Sequence, residues 1–130
     1  MKLYKLLPTC GLALGVALVL ATSAFKEAPK DKSGDTLYTF EYNAPATNPY
    51  SAANVENVAN WSYTSGTPSC DANNQKACSI EVHSNYVNNP GAPSSTLKSN
   101  FSISATNYDM SDAYVASTSD ASGVITNQLL

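Results

Sequence analysis

The sequence predicts a mainly β protein whose fold is a small antiparallel sheet, a sandwich or a partly open barrel. Several short segments alternate apolar and polar side chains, which is the period-two pattern of half-buried strands. Stretches rich in Asn, Ser, Gly and Pro separate these segments and are typical of turns. Aliphatic side chains are few, so the 8 Tyr and the single Trp of the 130-residue chain must supply much of the core.

The first predicted strand, Leu37–Tyr42, places Tyr38, Phe40 and Tyr42 on one face. Such an aromatic stripe is typical of the buried face of a sheet, although it also suits a platform on which sugar rings stack. A proline-containing loop follows the strand. Residues 51–58 then allow a short helix, because a serine stands at the cap position and small apolar residues recur at helical spacing.

The most specific prediction is a hairpin of Trp61–Tyr63 and residues 77–87, joined by a disulfide between Cys70 and Cys78. The residues between the two cysteines are polar and turn-prone, as the tip of a hairpin should be. A redox-active pair would favour the closer Cys-x-x-Cys spacing, and a metal site would need further cysteine or histidine ligands. We therefore expect a structural disulfide.

Three further short strands are predicted at residues 101–105, 113–117 and 124–127. A turn-rich loop over 88–100 precedes the first of these strands, and residues 119–123 form a turn between the last two. The spacing of strands and turns is typical of a small antiparallel domain.

Residues 1–24 have the pattern of a secretory signal peptide. Lys2 and Lys5 give a positive start, residues 11–21 form an unbroken apolar run, and small residues precede a cleavage site after Ala24. We expect export to the periplasm or the extracellular space, with no stable membrane span after cleavage. The alternative is a retained anchor, because the uncharged stretch is nominally long enough to span a bilayer.

After cleavage, the chain divides into a flexible lead-in over residues 25–36 and a single small β-rich domain over 37–130. The sequence contains no Arg, and acidic residues outnumber the lysines. This balance is poorly suited to phosphate contacts, so we expect no nucleic-acid partner. The same negative charge disfavours attraction to anionic lipid.

His83 is the only histidine and therefore the only candidate for a general base near neutral pH. No Gly-x-Ser-x-Gly nucleophile turn accompanies it, and it lies on the predicted polar face of its strand, as a surface histidine would. Asp109, Asp112 and Asp120 offer oxygen ligands that suit Ca²⁺, but their spacing matches no EF-hand loop. We expect no catalytic site, no metal and no cofactor, and predict that the chain is not an enzyme.

Several short features are distributed along most of the chain. They are a small-residue cleavage motif, an aromatic strand, an Asn-Trp pair and two cysteines before an Ile/Val-rich strand. These features are Ser23-Ala24-Phe25-Lys26, Leu37–Tyr42, Asn60-Trp61, Cys70 and Cys78, and residues 79–82. In this layout the chain resembles short secreted proteins of unknown function from Bacteroidota. The resemblance implies export and a disulfide and brings no activity. Asp35-Thr36-Leu37 also resembles the Asp-Thr/Ser-apolar tripeptide that such bacteria O-glycosylate, and its modification stays open.

Three functional hypotheses follow. The first is a non-enzymatic module, secreted or in the cell envelope, that either has a structural role or binds an unknown protein or glycan partner. The second is a carbohydrate-binding protein in which sugars stack on Trp61 and neighbouring aromatic side chains. The third is a small hydrolase centred on His83. The exposure of the aromatic rings and the surroundings of His83 distinguish these hypotheses.

Overall fold

The computed structural model describes residues 28–130. The predicted signal peptide over residues 1–24, with its cleavage site after Ala24, lies outside the described residues. Within the described range, no helix is long and apolar enough to cross a membrane.

Strands and small antiparallel sheets dominate the described part of the chain, which confirms the predicted mainly β fold with one short helix. The elements, in chain order, are β1 (Leu37–Tyr42), α1 (Ala52–Glu56), β2 (Trp61–Tyr63), β3 (Lys76–His83), β4 (Val87–Asn88), β5 (Thr96–Leu97), β6 (Ile103–Asn107), β7 (Ala113–Thr118) and β8 (Val124–Gln128). The main sheet has the strand order β2-β1-β3-β8, while β4 with β5 and β6 with β7 form two-stranded sheets. All pairs are antiparallel.

The main sheet has two unlike faces, as the alternation in β1 and β3 predicts. Phe40 and Ile80 pair across these strands, and both side chains are fully buried in the main core. Thr39 and Glu81 form the next pair along, so their side chains lie on the opposite face of the sheet. We call this opposite face, which also bears His83, the outer face.

The predicted pairing of Trp61–Tyr63 with residues 77–87 is wrong. β1 lies between β2 and β3 and pairs with both of them. The six residues of β1 match the long β3, whereas the three residues of β2 pair only along the far edge of β1. The two cysteines are close in sequence, but that closeness does not specify which strand lies beside β3.

Cys70 and Cys78 do form the predicted disulfide, with their Cα atoms 6.0 Å apart. The bond joins β3 to residues 64–75, which cross the outer face from β2 towards β8. The N–H of Thr64 donates to β1 at the start of this segment, and the N–H of Ala72 donates to β8 near its end. The disulfide therefore fastens the crossing segment, defined as residues 64–75, to the middle of the sheet.

The helix α1 covers the sheet formed by β6 and β7. It begins after Ser51, whose hydroxyl accepts a hydrogen bond from the N–H of Asn54. Val55 is its fully buried residue. The helix ends earlier than predicted, because Asn57 caps a separate 3₁₀ turn by accepting a hydrogen bond from the N–H of Ala59.

The remaining predicted strands are found with small shifts at their ends. β6, β7 and β8 correspond to the strands predicted at 101–105, 113–117 and 124–127. The strand predicted over 77–87 ends at His83, because residues 84–86 form a 3₁₀ turn before β4 begins.

A side chain, rather than a ladder of backbone bonds, joins β7 to β8. The Oδ1 atom of Asn127 accepts the N–H of Val115 at 3.0 Å, and its Nδ2 atom donates to the Val115 carbonyl at 3.0 Å. Nδ2 also donates to Asn74 in the crossing segment. The amide of Asn127 thus satisfies both backbone groups of a buried residue in another sheet.

Candidate functional site

His83 lies on the outer face at the end of β3, and both of its ring nitrogens contact carboxylates. Nδ1 lies 2.9 Å from Oδ2 of Asp120, and Nε2 lies 3.2 Å from Oδ2 of Asp31. The His83 side chain is only 18% exposed. The sequence predicts the correct face, but the side chain is enclosed by acidic groups and is not a solvated surface histidine. We call Asp31, Asp35, His83 and Asp120 the His83 cluster.

Asp31 comes from residues 28–36, which belong to the lead-in that the sequence predicts to be flexible. In the structure these residues form a turn closed by a β-bridge. Oδ1 of Asp31 accepts the backbone N–H groups of Ser33 and Asp35. Gly34 has a φ of 88°, a left-handed conformation that glycine adopts without steric cost. The turn leaves Oδ2 of Asp31 directed at the imidazole.

Asp120 comes from the loop between β7 and β8 and is the most buried member of the cluster, with a side chain 5% exposed. Its carboxylate also accepts the backbone N–H groups of His83 and Ser122. Gly123 holds this loop close to β3, since a Cβ atom there would lie 2.6 Å from the carbonyl oxygen of Glu81. The loop therefore depends on a glycine to place Asp120 against the ring.

These contacts perturb the titration of the cluster. The hydrogen bond to Asp120 raises the pKa of His83, burial opposes this rise, and Asp31 adds to it. Burial opposes ionisation of Asp120, but the backbone N–H and the ring of His83 outweigh it and hold the pKa of Asp120 below its usual value. The backbone N–H of Asp35 lowers the pKa of Asp31. Hydrogen bonds, with a smaller contribution from the opposite charge of a protonated ring, therefore favour ionised carboxylates around the imidazole.

The cluster does not have the geometry of a hydrolase triad. In such a triad one imidazole nitrogen faces an orienting carboxylate and the other faces a nucleophile. Asp120 fits the orienting role, but Nε2 faces the carboxylate of Asp31. Among residues 28–130, no serine or threonine hydroxyl hydrogen-bonds to the ring. One potential ligand atom each from Asp31, Asp35 and His83 lies within 4.8 Å of the others, an arrangement that can hold a metal ion.

Of the aromatic residues that could stack on sugars, Trp61, Phe40 and Tyr42 lie in the core, and the half-buried Tyr38 and Tyr63 pack against it. Trp61 is 4% exposed, and its Nε1–H donates to the carbonyl of Val55 at 2.9 Å. Phe40 is fully buried, and the ring of Tyr42 packs against that of Trp61 with centroids 5.1 Å apart. Because other side chains cover these rings, they supply the core rather than a binding platform.

A separate groove lies on the outer face beside the crossing segment. Thr39 and Glu81 form its floor, residues 64–68 form one wall and residues 28–29 form the other. Its volume is about 320 Å³. We call it the Glu81 groove.

The carboxylate of Glu81 is half buried in this groove and has no hydrogen-bond or ion-pair partner within the described part of the chain. Burial raises the pKa of Glu81. Tyr38 and Tyr63 border the groove, but strand alternation directs their side chains to the other face of the sheet. The groove is therefore acidic, without an aromatic floor.

The three aspartates considered for Ca²⁺ do not come together. Asp109 and Asp112 lie in the turn between β6 and β7, whereas Asp120 belongs to the His83 cluster. Oδ1 of Asp109 accepts the backbone N–H groups of Ser111 and Asp112, which is the usual role of Asp in a turn. Asp109 thus shapes the turn.

The sequence predicts neither Asp31 nor Asp35 as a ligand, although Asp35 begins the tripeptide Asp35-Thr36-Leu37. The available signal was the spacing Asp31-x-x-Gly34-Asp35, which favours a tight turn with two carboxylates on one side. Nothing local in that spacing indicates that the turn contacts β3.

Comparison of the chain with known proteins finds no matching family model, no matching curated protein and no matching solved structure. The disulfide indicates an oxidising location outside the cytoplasm.

Proposed function

We propose that the chain is an exported, non-enzymatic module of the cell envelope or its surroundings, and that it binds a protein partner through the Glu81 groove. The half-buried carboxylate of Glu81, which has no partner within residues 28–130, is the observation that carries this proposal. A carboxylate withdrawn from water is costly unless it gains a hydrogen-bond donor. A Lys or Arg side chain from a partner would supply both a donor and the opposite charge.

The dimensions of the groove favour a single inserted side chain. A volume of about 320 Å³ is at the lower end for ligand sites. Ala28, Pro29 and Pro68 give the walls apolar surface that suits the methylene stem of a long basic side chain. The acidic balance of the chain would also attract a basic partner.

Other observations support the remaining parts of the proposal. The positive start, the apolar run over residues 11–21 and the disulfide support export to the periplasm or beyond the cell. The resemblance to secreted proteins of Bacteroidota points the same way. The enclosure of both His83 nitrogens by carboxylates supports a non-enzymatic role, because a general base needs a free nitrogen facing its substrate.

A titration followed by NMR tests the groove, with N-acetyl-lysine amide and N-acetyl-arginine amide as probes. We expect saturable shifts of the Thr39 and Glu81 amide signals, and their loss in Glu81→Gln. Glu41→Gln is the matched control, because Glu41 lies on the same face in β1 but is exposed and outside the groove. This control should respond like the unaltered protein.

Three outcomes contradict the proposal. If neither probe gave saturable shifts, the groove would be ruled out as a site for basic side chains. An unchanged response in Glu81→Gln would rule it out as well. Saturable binding of N-acetylglucosamine in place of the basic probes would overturn the protein-partner assignment and support the carbohydrate-binding alternative.

A further inference from the structure

We propose that the His83 cluster binds one divalent transition-metal ion of the Zn²⁺ type. The ligands are Nε2 of His83 and one carboxylate oxygen each from Asp31 and Asp35. These three potential ligand atoms lie within 4.8 Å of one another. The site does not depend on the Glu81 groove or on the proposed function.

The orientation of the imidazole supports this assignment. Nδ1 lies 2.9 and 3.1 Å from the two carboxylate oxygens of the buried Asp120, so its proton is held on that side of the ring. Nε2 then points at Asp31 with its lone pair available in the neutral ring. Metal-binding histidines characteristically donate their second N–H to a carboxylate or carbonyl in this way. Asp120 is thus a positioning residue.

Unbalanced charge is a second observation that points to a cation. Three carboxylates surround a single imidazole, and no lysine ammonium within residues 28–130 lies within 4.0 Å of them. The Asp35 side chain makes no hydrogen bond or ion pair in that range. Protonation of His83 leaves the cluster negative. A dication balances more of this charge, and any proton on Nε2 passes to water as the metal takes its lone pair.

The donor set selects the class of metal. An imidazole nitrogen suits Zn²⁺ and its neighbours in the transition series, whereas Ca²⁺ and Mg²⁺ favour sites built from oxygen ligands. Asp31 comes from the turn over 28–36 and His83 from β3, while Asp120 adds the loop before β8. A bound ion would therefore tie the turn over 28–36 to β3, which Asp120 already joins to the loop before β8, and would stabilise the fold by mass action.

Isothermal titration of the full chain with ZnCl₂ tests the site, in a Cys10→Ser background so that no free thiol competes. We expect one saturable site. Asp35→Asn should abolish this binding while leaving the metal-free melting temperature near that of the parent, since Asp35 is exposed and its side chain is unpaired within residues 28–130. Asp109→Asn, an exposed aspartate in a distant turn, should bind like the parent.

Asp120→Asn tests the positioning role and should weaken Zn²⁺ binding about 10–100-fold. Ring ¹⁵N signals of His83 provide the accompanying readout, because metal binding should move Nε2 while Nδ1 keeps its proton. Absence of saturable heat with ZnCl₂, or unchanged binding in Asp35→Asn, would overturn the proposal. CaCl₂ binding at equal affinity would overturn the choice of a transition metal.

Discussion

At the scale of single residues, Asn127 shows how much one side chain contributes to this fold. Its amide gives the backbone N–H and carbonyl of Val115 the two hydrogen bonds that a neighbouring strand would otherwise supply. Asn127 is 3% exposed, so water has little access to these groups. β7 therefore depends on this amide for its position against β8.

Replacing Asn127 by Ala should lower the free energy of unfolding by about 2–4 kcal/mol, because buried polar groups are left without partners. Urea denaturation followed by circular dichroism measures the change. Asn107→Ala is the control, since Asn107 is exposed in β6, and it should change stability by less than about 0.5 kcal/mol. Equal effects of the two variants would show that the Asn127 amide is not needed.

Tyr42 is expected to titrate unusually late. Burial, with a smaller effect of Tyr50, raises the pKa of Tyr42 to about 12, and its hydroxyl donates to the carbonyl of Pro49. An unfolded tyrosine ionises near pH 10, roughly its reference pKa. Because the folded pKa is higher, the contribution of Tyr42 to stability is complete below about pH 10 and is lost as the pH rises towards 12.

The ultraviolet absorbance of tyrosinate during an alkaline titration measures this effect. The folded protein should show one late-ionising tyrosine, and Tyr42→Phe should remove it. Tyr108→Phe is the control, because Tyr108 is 48% exposed. Persistence of the late group in Tyr42→Phe would assign it to another tyrosine.

At the scale of elements, the sequence predicts where strands lie better than how they pair. The alternation of β1 is a local property, so its bounds and its buried face follow directly from residues 37–42. The place of β1 between β2 and β3 depends on contacts between distant segments. The alternation pattern carries no information about which edge of a strand accepts which neighbour.

The same limit applies to the His83 cluster. The polar face of β3 predicts that His83 lies outside the core, which the structure confirms. Asp31 and Asp120 lie 52 and 37 residues away in sequence from the ring that they contact. Asp31 and Asp120 reach the ring because the turn over 28–36 and the loop before β8 pack against β3. No local sequence pattern specifies where these two segments pack.

The disulfide fastens the crossing segment to β3. Breaking Cys70–Cys78 should lower stability by about 2–5 kcal/mol, since the crossing segment loses its attachment to β3. Thermal melting of Cys70→Ser with Cys78→Ser should therefore show a marked fall in Tm. In the native protein neither cysteine should react with iodoacetamide unless a reductant is added, and ready labelling of both would contradict the bond.

At the scale of the whole molecule, the predicted processing is measurable by mass. Protein recovered from the envelope or the medium should begin at Phe25, because the small residues before it fit a cleavage site. Intact-protein mass spectrometry gives the first residue directly. A substitution of Ala24 by a bulky residue should slow cleavage, whereas Ala28→Leu, beyond the site, should not. A mass that retains Met1 in the exported fraction would favour the anchor alternative.

The order of strands also determines when the main sheet can be completed during synthesis. β3 pairs with β1 on one side and with β8 on the other, and the β3–β8 ladder includes the contact between Lys76 and Gln128. Pairing between such distant residues makes folding slow, because the intervening chain must be closed into a loop first. During synthesis, one edge of β3 has no strand partner until Val124–Gln128 has emerged. The four-stranded sheet therefore reaches its full width only after the chain as far as Gln128 has been made.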